Sequence, residues 1–415
     1  MRKILFVMVA ALAFVACEKD FQPTTEMVDL ENVVQSNKVS LNQALVYAEN
    51  SINGIGTSTR STTRKVKSTE IFVAKPSTRS AESEEVSFYL INYENNEGFA
   101  MISTDSRTTP IYAYSDEGNI NPADFENNPG LKIFLEGAIL NYEDEIANCS
   151  TYALGDRLPI ELPDTLDDPR PIYVDGIFCY VKTDTTRMFV DKLLTTAWHQ
   201  DWPYNFYCDG TDAVGCGPTA LAQIMAHHRY PASHQDSQFG LVTYDWDLMR
   251  SNIRTEIGHD PDDATEAIAI LMRQIGRAAN ADYGLETYTN EVGIRNALTA
   301  FGYTSSNPSD LSFSIMKSEV DANRPIYITG HKPVDGKGHA WVIDGYDFTE
   351  RAIKYYHSEP PYNLYKRDVS TTKYFHCNWG NLVDSNGNWV NGFYLVSGFT
   401  YTLDNEMIYN IMPNI

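Results

Sequence analysis

Gly215-Cys216-Gly217-Pro218 sets a thiol where a helix is expected to begin. Proline suits a first helical turn, and Leu221, Ile224 and Met225 follow at helical spacing. A thiol in that place feels the positive end of the helix dipole and unpaired backbone N–H groups, both of which favour the nucleophilic thiolate. The same N–H groups can donate to an oxyanion formed when a carbonyl carbon is attacked. Taken alone, Cys216 reads more readily as a packed core thiol, the commoner case. A cysteine nucleophile needs a base, and His339 is the best placed candidate: it opens an apolar run and follows Gly336 and Gly338, which let a substrate backbone approach closely. Its plain alternative is a turn histidine in a glycine-rich loop. Asn378-Trp379, in a later run, can orient the imidazole and shield it from water. Gln200 can supply a side-chain N–H to the oxyanion. These residue types together describe acyl transfer through a thioester, which requires no metal or cofactor.

Such groups need a frame. Helices are expected from Cys216 onward, around Thr265 to Ala279 and around Val292 to Phe301. Short apolar runs follow at Pro325 to Ile328, Ala340 to Ile343, Tyr374 to Trp379 and Phe393 to Val396, each bounded by Gly, Pro, Asn or Asp as strands are. Helices first and strands afterwards predict an α+β domain. Upstream, Val39 to Ile52 has helical spacing, while 54–67 is rich in Gly, Ser, Thr and Arg and reads as a loop. Its Arg60, Arg64 and Lys65 are open to trypsin-like cleavage. Alternation from Val86, with a turn at Asn95-Asn96-Glu97-Gly98, predicts a hairpin. Leu131 to Ile146 reads as a helix covering it. Residues from about 40 to 150 therefore form a small α+β domain, and the Pro- and Asp-rich stretch Leu158 to Arg170 an exposed connector.

The chain has 415 residues, with 43% hydrophobic, enough for a large core. Its 55 acidic against 32 basic residues give a net charge of −23, which excludes a phosphate-backbone footprint and hence nucleic acid as a partner. Six cysteines without CxxC spacing make neither a disulfide scaffold nor a zinc site. Met1-Arg2-Lys3 and the apolar Ile4 to Val15, too short to span a bilayer, read as an export signal. Phe14-Val15-Ala16-Cys17 resembles a bacterial lipobox, although Phe14 stands where Leu is usual; this predicts lipidation of Cys17 and a membrane anchor, with an ordinary cleaved signal as the alternative. The expected location is the outer membrane or cell surface, with release after processing.

The order Gln, Cys, His, Asn is that of papain-like peptidases, and the surrounding segments carry the likeness further. Gln200-Asp201-Trp202-Pro203-Tyr204-Asn205, Gly215-Cys216 with Thr219 to Met225, and His228-Arg229-Tyr230-Pro231 resemble the active-site segment of the streptopain family of bacterial cysteine peptidases. Gly338-His339-Ala340-Trp341-Val342-Ile343-Asp344-Gly345 resembles its histidine segment, and His376-Cys377-Asn378-Trp379-Gly380 its Asn-Trp segment. Gly98 to Asp105 and Ile111 to Ser115 are similar to the family propeptide. The resemblance implies an exported zymogen with a papain-like fold: a signal at 1–17, a propeptide at 18–170 and a peptidase domain at 171–415. It implies Cys216 as nucleophile, His339 as general acid/base, Gln200 as oxyanion donor, Asn378 and Trp379 as support for His339, and Gly338 as a substrate contact. The propeptide would cover the cleft as an intramolecular inhibitor until a cut between about residues 165 and 190. Two departures stand out. Residues 381–392 replace the usual Trp-Gly-Gly continuation with a polar, turn-like insertion, and Leu285 to Asn290 replace a Ser/Gly-rich substrate loop.

His227 and His228 are adjacent on a helix, so they point about 100° apart and, with His234, make a poor metal set. His228 is expected to pack at the end of the Cys216 helix, and Cys377 to be a core thiol. A Cys208–Cys216 disulfide would consume the nucleophile and be an inhibited state. The tyrosines at 355–356 and 362–365 read as surface residues. The expected function is a cysteine endopeptidase acting on proteins or peptides; a transamidase and a degenerate, protein-binding lipoprotein scaffold are the alternatives.

Overall fold

The computed structural model describes residues 37–53, 64–74, 85–147, 172–174, 177–210, 212–253, 255, 259–331, 338–358, 361–381, 387–391 and 405–415. Cys17, the connector at 158–170 and the strand expected at Phe393 to Val396 lie outside them. In the N-terminal part, α1 (Leu41–Asn53) is followed by β1 (Val66–Val73), β2 (Ser87–Tyr93), β3 (Phe99–Ser103) and β4 (Ile111–Ser115), then α2 (Asp124–Asn127) and α3 (Pro129–Ala147). The expected hairpin is β2–β3, and all four strands pair antiparallel. β1 begins inside the stretch read as a loop. Its residues are almost all exposed, so no alternation of apolar and polar residues marked it.

Alternation sorts the faces of this sheet. Ala44 and Ala48 of α1 pack on Ile91, Ala100 and Ile102, while Leu131, Phe134 and Ala138 of α3 pack on Phe88, Met101 and Tyr112 on the other side. Asn128 starts α3: its side-chain oxygen accepts from the N–H of Gly130 at 3.0 Å and of Leu131 at 3.2 Å, with Pro129 in the first turn.

β5 (Ile172–Val174) and β6 (Ile177–Val190) lead into the second part. There α4 (Cys216–His228) precedes the hairpin β7 (Ser233–Asp236) and β8 (Gly240–Thr243), α5 (Trp246–Ser251), α6 (Asp263–Ala278) and α7 (Glu291–Ala300). α6 opens with a capping box of Asp262 and Thr265, and α7 with Asn290 accepting from the Gly293 N–H. β9 (Tyr303–Thr304), β10 (Ser309–Asp310) and α8 (Phe313–Asp321) come next. β11 (Ile326–His331), β12 (Gly338–His357), β13 (Leu364–Asn378), β14 (Gly387–Asn391), β15 (Glu406–Ile408) and β16 (Met412–Pro413) complete the chain.

β12 organises the second part. β13 lies on one side of it, and on the other β11 pairs with its first half and β6 with its second. Trp341 and Ile343 point into one apolar cluster; Ala340 and Val342 point into another, with Leu221 and Ile224 of α4, Leu271 of α6 and Leu298 of α7. Each of these fully buried Leu, Ile and Val side chains contributes about 1.5–3 kcal/mol.

The insertion after Gly380 is not merely a polar turn. It carries β14, which pairs with β13 and, at Trp389↔Tyr114 and Val390↔Ala113, with β4. One sheet therefore runs through both parts, and one apolar cluster joins Phe88, Leu131 and Phe134 to Phe375, Trp379 and Val390. Tyr114 donates to Asp347 Oδ2 at 2.8 Å, and Arg187 of β6 grips the same carboxylate through two bonds of 2.7 and 2.8 Å.

His228 closes α4 against Tyr303. Burial, with His227 beside it, pushes its pKa down to about 4. The unfolded chain, with an ordinary value near 6.5, binds the proton first, so this contribution to stability is complete above about pH 6.5 and is lost toward pH 4. A His228→Gln variant is expected to show a shallower loss of melting temperature between pH 6.5 and 4 than the wild type. Equal slopes would remove His228 from the account.

Candidate active site

Cys216 is the first residue of α4. Gly215 before it has φ +99°, a conformation glycine tolerates, and its carbonyl accepts from the Thr219 N–H at 3.1 Å and hydroxyl at 2.9 Å. The half-buried thiol accepts from the Ala340 N–H at 3.3 Å. Burial pushes the thiol pKa up, but His339, by charge and hydrogen bond, and the Ala340 and Gly217 N–H groups together hold it below the ordinary value. Cys208 and Cys377 are raised instead, chiefly by burial; the Asp344 carboxylate adds to this at Cys377. All four described cysteines are free, so Cys208 and Cys216 are unbridged.

His339 is buried at the start of β12, and its Nε2 lies 2.7 Å from the Trp379 carbonyl oxygen. A carbonyl only accepts, so Nε2 carries the proton and Nδ1 is left as the basic nitrogen for the thiol. The Trp341 ring lies nearly parallel to the imidazole with centroids 6.4 Å apart, and the Trp379 ring is tilted against Trp341 at 5.3 Å. The Asn378 carboxamide is used differently from expectation. It donates to the Thr196 carbonyl at 2.7 Å, meets the Gln223 side chain at 3.3 Å, and accepts from the Gly380 N–H at 3.2 Å. Trp379 supports the histidine through its main chain; Asn378 secures the turn that carries Trp379.

Gln200 is half-buried and lines an open cavity of about 310 Å³ together with Cys216, Gly338 and His339. The Val214 N–H donates to the Gln200 carbonyl at 3.0 Å, tying its backbone to the irregular segment before the thiol. Leu285, Glu286 and Thr287 form one wall of the cavity, so the loop that departs from the family pattern does face it. Glu126, Pro129, Lys132 and Ile133, from the N-terminal part, form another. The start of α3 thus lies across the cleft. A Cβ on Gly130 would stand 2.3 Å from Trp379 and 3.0 Å from His339.

Two supports were not singled out from sequence. Gln223, two turns along α4 from Cys216, is fully buried and accepts from the Thr196 hydroxyl and the Trp198 N–H; a lone Gln in an apolar helix was its only signal. Asp344 pairs with His376 at 2.6 Å and accepts from the Leu194 N–H at 2.9 Å, fixing the approach to Gln200. Among the described residues no cluster of His, Cys, Asp and Glu is arranged to hold a metal ion, and no helix is long and apolar enough to cross a membrane.

Comparison with known proteins joins these features. Residues 198–394 match the Peptidase C10 family and residues 36–141 the Spi protease inhibitor family. Thiol protease/hemagglutinin PrtT of Porphyromonas gingivalis is 27% identical over 376 residues, covering 81% of this chain and 38% of that protein. Streptopain of Streptococcus pyogenes is 27% identical over 281 residues, covering 60% of this chain and 66% of its own. The chain thus spans less than two thirds of either relative. A solved fragment of Prevotella intermedia prointerpain A aligns with a TM-score of 0.48 and 20% identity over 82% of this chain and 98% of that one. The Cys216 helix set against the His339 strand thus lies in a peptidase C10 domain, residues 198–394, and the small N-terminal domain before it is an Spi-type inhibitor domain, residues 36–141.

Proposed function

We propose that the chain is the precursor of a cysteine endopeptidase that hydrolyses peptide bonds in proteins. The observation that carries this reading is a thiol at a helix start, held below its ordinary pKa by His339 and the Ala340 N–H. The Cys216 thiolate attacks the scissile carbonyl carbon; the oxyanion is met by the Gln200 side chain and by N–H groups at the start of α4. His339 Nδ1, having taken the thiol proton of Cys216, passes it to the leaving amine, then takes one from the water that opens the thioester. Gly338, at the cavity edge, offers its backbone to the substrate. PrtT is named a thiol protease and streptopain matches over 281 residues, which supports the same chemistry here.

The N-terminal domain is the inhibitor, with α3 as the covering element. β6 is paired with β12 along its length and Arg187 with Asp347, which supports an activating cut before Ile177. Export and a lipid anchor on Cys17 complete the reading, resting on the residues around Cys17.

The test is brief trypsin treatment under reduction, then a thiol-directed epoxide inhibitor, with intact mass and casein cleavage followed together. One adduct at Cys216 with matching loss of cleavage is expected. No adduct and no cleavage, in folded and trimmed protein, would favour a binding scaffold, and transfer to an added amine a transamidase. Gln200→Ala is expected to lower kcat by about 10²–10³-fold, the usual loss for one oxyanion donor. An unchanged kcat would take Gln200 out of the oxyanion site.

A further inference from the structure

The turn that presents Cys216 is held from outside its own helix as well as from within it. Gly215, at φ +99°, has no side chain with which to cap α4, and from α4 its carbonyl is held by the Thr219 N–H and hydroxyl. A second restraint comes from the loop between α6 and α7. Asp282 and Tyr288 close that loop by exchanging N–H to carbonyl bonds of 2.9 and 3.0 Å. Inside it, the Thr287 hydroxyl donates to the Ala213 carbonyl at 2.6 Å and accepts from the Gly284 N–H at 3.2 Å, while the Ala213 N–H donates to the Gly284 carbonyl at 3.2 Å. The Thr287 methyl backs onto Gly215, where an added Cβ would lie 3.0 Å from it. Thr289 closes on the other flank: a Cβ on Gly217 would lie 2.2 Å from its hydroxyl oxygen. Both glycines beside the thiol are therefore walled by this loop.

We infer that Thr287 is a positioning residue for Cys216, its hydroxyl and methyl fixing the Gly215 turn so that the thiol sits at the start of α4 against the Ala340 N–H and His339. The inference rests on the reading of Cys216 as nucleophile. A valine keeps the shape but leaves the Ala213 carbonyl and the Gly284 N–H without their partner, so the turn loosens. Relaxation there carries the thiol away from the donors that favour its ionised form.

The test uses the full chain. The rate of Cys216 alkylation by iodoacetamide is followed from pH 5 to 9, with peptide mass mapping to separate Cys216 from Cys208 and a thermal melt to establish folding. Wild-type Cys216 is expected to titrate below the ordinary thiol value of about 8.5. Thr287→Val is expected to raise that midpoint by about one unit and to slow alkylation at pH 6 about tenfold, with peptide hydrolysis after trypsin trimming falling in kcat rather than KM. Thr287→Ser, which keeps the hydroxyl, is expected to restore most of the wild-type rate. A folded Val variant with wild-type rate and midpoint overturns the inference and leaves the nucleophile intact. A Ser variant as impaired as the Val variant overturns the role given to the hydroxyl. If wild-type Cys216 itself reacts as an ordinary thiol, the nucleophile reading fails and the inference fails with it.

Discussion

Replacing Cys216 by Ala is expected to lower peptide-bond hydrolysis by about 10⁴-fold or more, because nucleophile, base and oxyanion donors act as a unit and the loss of the attacking atom leaves the others little to assist. The fold should be unaffected. The thiol is half-buried at a helix start, and Ala there leaves the Thr219–Gly215 bonds and the apolar face of α4 in place. The measurement is hydrolysis of casein and of a small peptide by trypsin-trimmed wild type and variant, with melting curves of both. Robust residual hydrolysis in the variant would assign the chemistry to another group.

Gly130→Leu is expected to unseat the N-terminal domain from the cleft. The added Cβ would lie 2.3 Å from the Trp379 ring, closer than any real contact, and the ring has nowhere to go. Trp379 is fully buried, packed by Trp341 on one side, and its carbonyl is the acceptor for His339. The helix start must therefore move, at a cost of about 1–3 kcal/mol for overpacking, with more lost as α3 parts from the shared core. Two readouts follow. In a Cys216→Ala background the melting temperature should fall, free of self-digestion. With Cys216 present, the untrimmed chain should hydrolyse a small peptide faster than untrimmed wild type, since α3 no longer covers the cleft. A variant as stable and as latent as the wild type would show that the covering of the site does not depend on Gly130.

Much of this was readable from the chain. Helix starts at Cys216, Asn290 and Asp262 carry their signals within a few residues, as proline in a first turn or as side-chain caps. The β2–β3 hairpin is marked by alternation from Val86 and its turn residues, and the first half of β12 by a continuous apolar run, as a strand buried on both faces is. The ordered presence of Gln200, Cys216, His339 and Asn378-Trp379 indicated the chemistry, since few other tasks require those types together.

The tertiary structure decided what depends on register between distant strands. A sequence states that Asn378 and Trp379 are neighbours, but only the pairing of β12 with β13 brings the Trp379 carbonyl, rather than the Asn378 amide, to His339 Nε2. The insertion after Gly380 looked like a turn because its residues are polar; it became a strand because β13 and β4 supply backbone partners on both of its edges. Gly130 and Thr287 carry no local signal, for their importance lies in atoms of Trp379 and Gly215 that chain reversal brings within contact distance. Local pattern determines which element forms and which face it buries, whereas contacts between elements far apart in the chain are set by how their backbones pair and pack.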